Sequence, residues 1–365
     1  MKRHSFKYIF YFNVFLIPAI IIIVYVLSAC KDEAGKNIPA NIITPLVYSD
    51  SISGKFCKNA KGAALIDAKS GAVLYEKNAS QHLPMASTTK IMTAICVIEN
   101  SKPTDKICIP KEAVGVEGSS VYLKCGETLT VEELLYGLLL ESGNDAAAAL
   151  AIGVFGSQEA CVERMNQKCH DIGLIDTRFE NVHGLDSENH YTTAYELALI
   201  ARYAMKNELF REIVSSVSYT TSGENPRYFS NHNRLLRSFN GAVGIKTGYT
   251  SKSGRCLVSA AKFDDEEYIA VTLGDPLDWD DHKAMHLFAK ENFDSVEIAG
   301  EESFVVFRNF EKYVPSDSVY ITVSGKSDFS IDYSISIEGD LGKVNFSSDG
   351  KQLGTFYLTR SHKEG

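Results

Sequence analysis

The amino-acid sequence predicts a mixed α/β domain, an antiparallel sheet flanked by helices, followed by a small all-β domain. Three observations lead there. Short β-rich apolar runs at both ends of the first domain read as hairpins, the stretch between them has helical periodicity, and past residue 298 only strand-like runs remain. The chain has 365 residues, and roughly 300 remain once its first segment is set aside, enough for two domains. With 45% hydrophobic and 23% charged residues it is an ordinary folding sequence. A net charge of -9 and no basic stripe exclude a nucleic-acid partner.

In chain order, Met1, Lys2, Arg3 and His4 give a positive flank to an apolar run from Tyr8 to Ala29, long enough to span a bilayer. The run ends in Leu27-Ser28-Ala29-Cys30, a lipobox-like sequence in which small residues precede a lipidated cysteine. Residues 1–30 are therefore either a cleaved signal with a lipid on Cys30 or an uncleaved membrane anchor, and both place the remainder outside the cytoplasm. Polar residues 31–57, with Pro39 and Pro45, read as a linker, and order is expected near Lys61.

The first domain then spans 58–297 and the second 298–365. Ala63–Asp67 and Ala72–Tyr75, joined around Gly71, form a hairpin. Ile91, Ala94, Ile95 and Ile98 repeat at helical spacing, so a helix begins at or just before Ser87. Thr130 and Glu133 have capping-box spacing ahead of Leu134–Leu140, and Ser142-Gly143-Asn144 interrupts before alanine-rich 146–151, which puts Ser142 in a turn between helices. Further helices are expected over 157–172 and 193–205, the latter with a second capping box, Thr193 and Glu196. Residues 255–261 and 268–273 form a core hairpin, and four strand-like runs fill the tail.

Eight cysteines show neither C-x-x-C nor a Cys/His zinc pattern, so no metal or cofactor site is expected. Cys161 and Cys169 lie about 12 Å apart along one helix, beyond disulfide reach. Cys96 and Cys256 sit in apolar runs as small core residues. Cys108 and Cys125 are the one candidate disulfide, the alternative being free thiols in a reducing habitat.

The chemistry concentrates in three short motifs. Ser87-Thr88-Thr89-Lys90 places a hydroxyl and an amine on one face of a helix start. A serine needs an adjacent base, and lysine serves only if burial or another cation lowers its pKa. Ser142-Gly143-Asn144 adds a second hydroxyl for proton relay and an amide. Lys246-Thr247-Gly248, on or beside an edge strand, offers a cation and hydroxyl to an anionic group, while glycine admits substrate backbone. Lys246 would also be the cation that lowers the Lys90 pKa. S-x-x-K alone is weak; the three in this order are specific.

With blocks 64–68, 85–90, 117–120, 138–147, 181–186 and 246–250, these motifs resemble the serine D-Ala-D-Ala carboxypeptidase family of low-mass penicillin-binding proteins. The resemblance implies a β-lactamase/transpeptidase-like fold and peptidoglycan stem peptides and β-lactams as partners. It assigns Ser87 as nucleophile, Lys90 as base and Ser142 as relay. Asn144 would hold the substrate carbonyl, Lys246 and Thr247 its carboxylate, and the N–H groups of Ser87 and Tyr249 beside Gly248 would form the oxyanion hole. His183 is expected to stabilise its loop rather than act as a base. The chain departs from the family in ending without an amphipathic helix, which leaves anchoring to the N-terminus, and Gly274–Trp279 lacks a basic residue that some relatives direct at the carboxylate. The competing readings are a serine β-lactamase, which would need a deacylation block not seen here, and a non-catalytic wall-binding or penicillin-sensing lipoprotein.

Overall fold

The structure is a computed structural model that describes residues 56–222, 226–308, 311–324, 330–348 and 350–361, with two-residue strands at 30–31, 37–38 and 42–43. The anchor or signal expected over residues 1–29 lies outside the described residues, among which no helix is long and apolar enough to cross a membrane.

The larger domain is built on five antiparallel strands: β1 (Gly62–Asp67), β2 (Val73–Lys77), β3 (Ala242–Thr250), β4 (Gly254–Phe263) and β5 (Glu266–Leu273), in spatial order β3-β4-β5-β1-β2. Alternation along the strands sorts side chains to two faces. Ala64, Ile66, Val258, Ala260, Ile269 and Val271 join the core beneath the inserted helices, and Ala63, Leu65, Tyr268 and Ala270 pack with Met285 and Ala289 on the other side. Both faces are covered, which is why these strands read as continuous apolar runs.

The inserted helices are α1 (Lys90–Asn100), α2 (Val131–Leu139), α3 (Asn144–Phe155), α4 (Gln158–Asp171), α5 (Ala194–Ala204) and α6 (Glu208–Ser215), followed by the single turn α7 (Leu235–Ser238); α8 (Asp278–Asn292) covers the opposite face. Every residue of α3 from Asn144 to Ala151 is buried, and its alanines let α1, α2 and α4 approach it closely. The box at Thr130 is complete, Thr130 Oγ1 accepting from Glu133 N–H and the Glu133 carboxylate from Thr130 N–H. At Thr193 only half forms: Thr193 caps Glu196 N–H, but the Glu196 carboxylate turns away to accept from the N–H groups of Ile175 and Asp176 and the Thr177 hydroxyl.

Beyond α8, β6 (Phe293–Ala299) pairs with β9 (Val319–Ser324), across the expected boundary at 297. Strands β7 (Val306–Arg308), β8 (Glu311–Pro315), β10 (Asp332–Glu338), β11 (Leu341–Ser348) and β12 (Lys351–Arg360) form a second sheet over Tyr313, Val344, Phe346, Phe356 and Leu358. Within the segment expected as a linker, Ile42 and Ile43 pair with β12, and Phe56 and Cys57 are buried. Cys108 and Cys125 are exposed and free.

Behind the sheet, Ser259 Oγ lies 2.6 Å from His282 Nδ1 and 2.7 Å from His286 Nε2, and Thr272 Oγ1 lies 3.0 Å from His282 Nε2. Burial, and secondarily the neighbouring His286, holds His282 well below the usual imidazole range; burial takes His286 down to about 3. Both stay neutral when folded but protonate near pH 6.5 when unfolded. The unfolded state therefore takes up more protons as pH drops through that value, and stability is lost on the acid side, by up to ~1.4 kcal/mol per pH unit per histidine. Urea unfolding should give free energies that decline from about pH 7 to about pH 5, and His286→Gln should flatten the slope by about one proton. An unchanged slope would exclude this origin.

Candidate active site

The chain enters α1 through a 3-10 turn, Ala86–Thr89, that carries Ser87. Ala86 adopts φ +49°, a left-handed conformation unusual for alanine, and the turn is held from both sides. Thr89 Oγ1 donates to Ala86 O at 2.8 Å and lies 2.7 Å from His190 Nε2. Because His190 Nδ1 accepts from Glu180 N–H at 3.0 Å, the ring proton is on Nε2 and points at Thr89. Burial holds His190 down to about 4, so this arrangement persists at neutral pH.

Lys90 is fully buried, and its Nζ donates to Asn144 Oδ1 at 2.7 Å and His183 O at 2.6 Å and lies 2.9 Å from Ser87 Oγ. Burial, then the positive charge of Lys246, hold its pKa well below the usual lysine range, against an opposing pull from Asp145. Lys246, also buried, is lowered to about 7 by burial, with Glu141 opposing. Because Lys90 loses its proton first, it exerts no matching effect on Lys246. A neutral amine in contact with a serine hydroxyl is a nucleophile–base pair.

Asn144 sits at the first residue of α3, its Oδ1 on Lys90 and its Nδ2 on Glu117 O. The contact to Lys90 fixes which end of the amide is which. Asp145 ties down the adjoining loop by accepting from Val121 N–H, Leu123 N–H and the Ser120 hydroxyl. Ser142, between α2 and α3, has φ +65°, and its buried Oγ has no hydrogen-bond partner among the described residues. Such an orphan hydroxyl at a cleft wall is free to exchange a proton with whatever enters.

β3 is the edge strand beside the Ser87 turn, and Gly248 is where they meet: a Cβ there would lie 2.9 Å from Ser87 N. Gly184 closes on the turn from the other side, with φ +96° and a hypothetical Cβ 2.0 Å from Ala86 O. His183 contributes its carbonyl, while its ring Nδ1 accepts from Leu185 N–H at 3.3 Å. Burial, then the Lys90 and His190 charges, lower His183 to about 4.

The cleft is a cavity of about 330 Å³ that joins Ser87, Ser142, Thr247, Gly248 and Tyr249 to Ser119, His232, Arg234, Arg255, Cys256, Asp278 and Trp279. The peptidase S11 signature, described as D-alanyl-D-alanine carboxypeptidase, matches residues 53–276. The chain belongs to the peptidase S11 family. It is 37% identical to D-alanyl-D-alanine carboxypeptidase DacF of Bacillus subtilis and 38% identical to DacC of Escherichia coli, alignments that cover 61% and 59% of this chain. They span 59% and 56% of those relatives, less than two thirds of their length. Among solved structures, penicillin binding protein 5 from Haemophilus influenzae superposes with a TM-score of 0.72 at 27% identity, covering 84% of this chain and 97% of that one. A Streptomyces K15 DD-transpeptidase variant gives 0.60 at 32% identity over 64% of this chain and 98% of that one.

In this S11 peptidase the basic residue missing from Gly274–Trp279 has a counterpart from elsewhere. Arg255 of β4, paired with Tyr249 across the strands, reaches the cleft, and Arg234 lines it from the α7 side. The buried Asp278 carboxylate accepts from Arg255 Nε at 3.1 Å and Nη2 at 2.8 Å, and the guanidinium lies 5.6 Å from the Trp279 ring centre. Sequence reading missed Arg255, Arg234 and His190. Arg255 stands in a strand pattern that shows burial but not which cleft the strand borders, and His190 carried no local signal. Gly184→Ala should push the Ala86 carbonyl away, slowing modification of Ser87 by an active-ester probe by roughly tenfold at a cost of about 1–3 kcal/mol in stability. Unaltered modification kinetics in a folded variant would show that the Ser87 turn tolerates the displacement.

Proposed function

We propose that the protein is a serine D-Ala-D-Ala carboxypeptidase that trims peptidoglycan stem peptides, acts through an acyl-enzyme on Ser87, and is blocked covalently by penicillin. The observation that carries this reading is the 2.9 Å contact from the buried Lys90 amine to Ser87 Oγ. In the reaction Ser87 Oγ attacks the carbonyl carbon of the penultimate D-Ala while its proton passes to neutral Lys90. The N–H groups of Ser87 and Tyr249 receive the developing oxyanion. Collapse breaks the C–N bond, and Ser142 delivers the proton from Lys90 to the departing amine of D-Ala. Water, giving its proton back to Lys90, then hydrolyses the ester and restores Ser87. Asn144 orients the substrate amide; Lys246, Thr247 and Arg255 receive the terminal carboxylate.

The protein works on the outer face of the cell membrane, held by its N-terminus, as the apolar run and the Leu27–Cys30 sequence support. If the lipobox is used, Cys30→Ala blocks processing and shifts the mass of the mature protein; an unshifted mass would assign the anchor to an uncleaved helix.

The purified protein should release one D-Ala from a pentapeptide ending in D-Ala-D-Ala and carry one penicillin adduct on Ser87 by intact mass. Ser87→Ala should abolish both, and Lys90→Ala should slow acylation by about 10²–10⁴-fold. Arg255→Ala should raise KM for the peptide by roughly 10–100-fold, the loss of a charge-assisted contact. Rapid penicillin turnover would favour a β-lactamase, and an absent adduct would defeat the serine mechanism. Cross-linked dimers as main product would favour transpeptidation, a reading prompted by the name of the K15 neighbour.

A further inference from the structure

Away from the cleft, three groups far apart in sequence converge: Cys57 ahead of β1, Asp275 after β5, and Asp281 in the first turn of α8. Their ligand atoms all lie within 4.8 Å of one another, although 224 residues separate Cys57 from Asp281. Cys57 and Asp275 are completely buried. Asp275 Oδ1 accepts from Leu277 N–H at 3.1 Å, whereas the buried Oδ2 has no hydrogen-bond partner among the described residues. Asp281 Oδ1 accepts from Cys57 N–H at 2.8 Å, which ties the sulfur-bearing turn to the helix. Lys77 Nζ donates to Cys57 O at 2.8 Å, and Met285 Sδ lies 3.7 Å from Cys57 Sγ.

We infer that Cys57, Asp275 and Asp281 form a site for a thiophilic divalent cation of the zinc class, a structural clip between the segment ahead of β1, the turn after β5 and α8. Two carboxylates and a thiol cannot all ionise in a buried space without a cation to balance them. The donor set selects the metal: magnesium and calcium take oxygen alone, whereas zinc accepts thiolate at ~2.3 Å with carboxylate oxygens at ~2.0–2.2 Å. A tetrahedron of those lengths needs ligand atoms about 3.3–3.8 Å apart, so the present spacing closes by at most about 1.5 Å, with water or the Met285 thioether in the fourth position. Asp275 also opens the turn that carries Asp278, so the clip stiffens the carboxylate that holds Arg255 in the cleft.

The test uses the full chain in detergent, stripped with chelator and titrated with Zn2+ by calorimetry and by metal content after desalting. One zinc per chain is expected, with a rise in Tm of about 5 °C at about a hundredfold excess over Kd. Cys57→Ser and Asp275→Asn should each lose the bound zinc and the rise, while penicillin acylation of Ser87 reports that they remain folded. If a variant fails to fold, Co2+ added to the wild-type protein should give a thiolate charge-transfer band in the near ultraviolet. Absence of bound metal, binding that survives both substitutions, or cobalt without that band overturns the proposal. A gain in Tm for Asp275→Asn without any response to zinc would likewise overturn it, and would identify a proton shared between the two carboxylates.

Discussion

The larger domain is organised around the burial of two lysine amines at one site. An uncompensated ammonium in a protein interior is expensive, and the fold meets the cost differently for each. Lys90 has three polar partners from three separate elements, Ser87 Oγ in its own turn, Asn144 Oδ1 at the head of α3 and His183 O in the loop before α5. For Lys246 the partner among the described residues is the carbonyl of Thr247 in its own strand. Burial, then the charge of Lys246, lowers the Lys90 amine, and burial lowers Lys246 to about 7, so Lys90 gives up its proton first and presents a neutral amine to Ser87.

Bringing those acceptors together requires backbone that ordinary residues resist. Ala86 and Ser142 both have positive φ without being glycine, and both sit at the reacting groups. The strain is tolerated because its surroundings leave little alternative: Gly184 packs against the Ala86 carbonyl where no Cβ fits, and Gly248 does the same against Ser87 N. Residues that look like loop filler are thus part of the nucleophile's support.

Where sequence pattern and structure agree, the reason is that the signal was local. The Ser87–Lys90 spacing, the turn at Ser142 and the edge position of the Lys246 strand follow from periodicity and punctuation within a dozen or so residues; Ser87, Ser142 and Thr247 line one cavity, and the buried Lys90 amine lies 2.9 Å from Ser87 Oγ. The hairpins and the all-β tail were legible for the same reason. What stayed hidden was tertiary. Arg255 belongs to a strand whose pattern gives burial but no address, Glu196 forsakes its cap for the N–H groups of Ile175 and Asp176, and Phe293–Ala299 continues from a helix into the next domain's sheet. Cys57, Asp275 and Asp281 form a group only after the fold closes.

The placement of the second domain follows from the same sheet. Its main polar contact with the first is Asp67 at the end of β1, whose buried carboxylate accepts from the hydroxyls of Ser295 and Thr322 while also holding the Lys69 and Ser70 N–H groups of the β1–β2 turn. Ser70 Oγ adds a 2.6 Å contact to Thr322 Oγ1. That hairpin forms one edge of the sheet, and β3 with Lys246 forms the other. None of the residues lining the cleft comes from beyond Trp279. The second domain is therefore joined to the far edge by a polar network, away from the cleft. The arginines that line the cleft are Arg234 and Arg255, and of these Arg255 is held by a partner carboxylate in a bidentate pose. Asp278 places a negative charge at the cleft but gives that guanidinium one orientation, with its second face left toward the cavity.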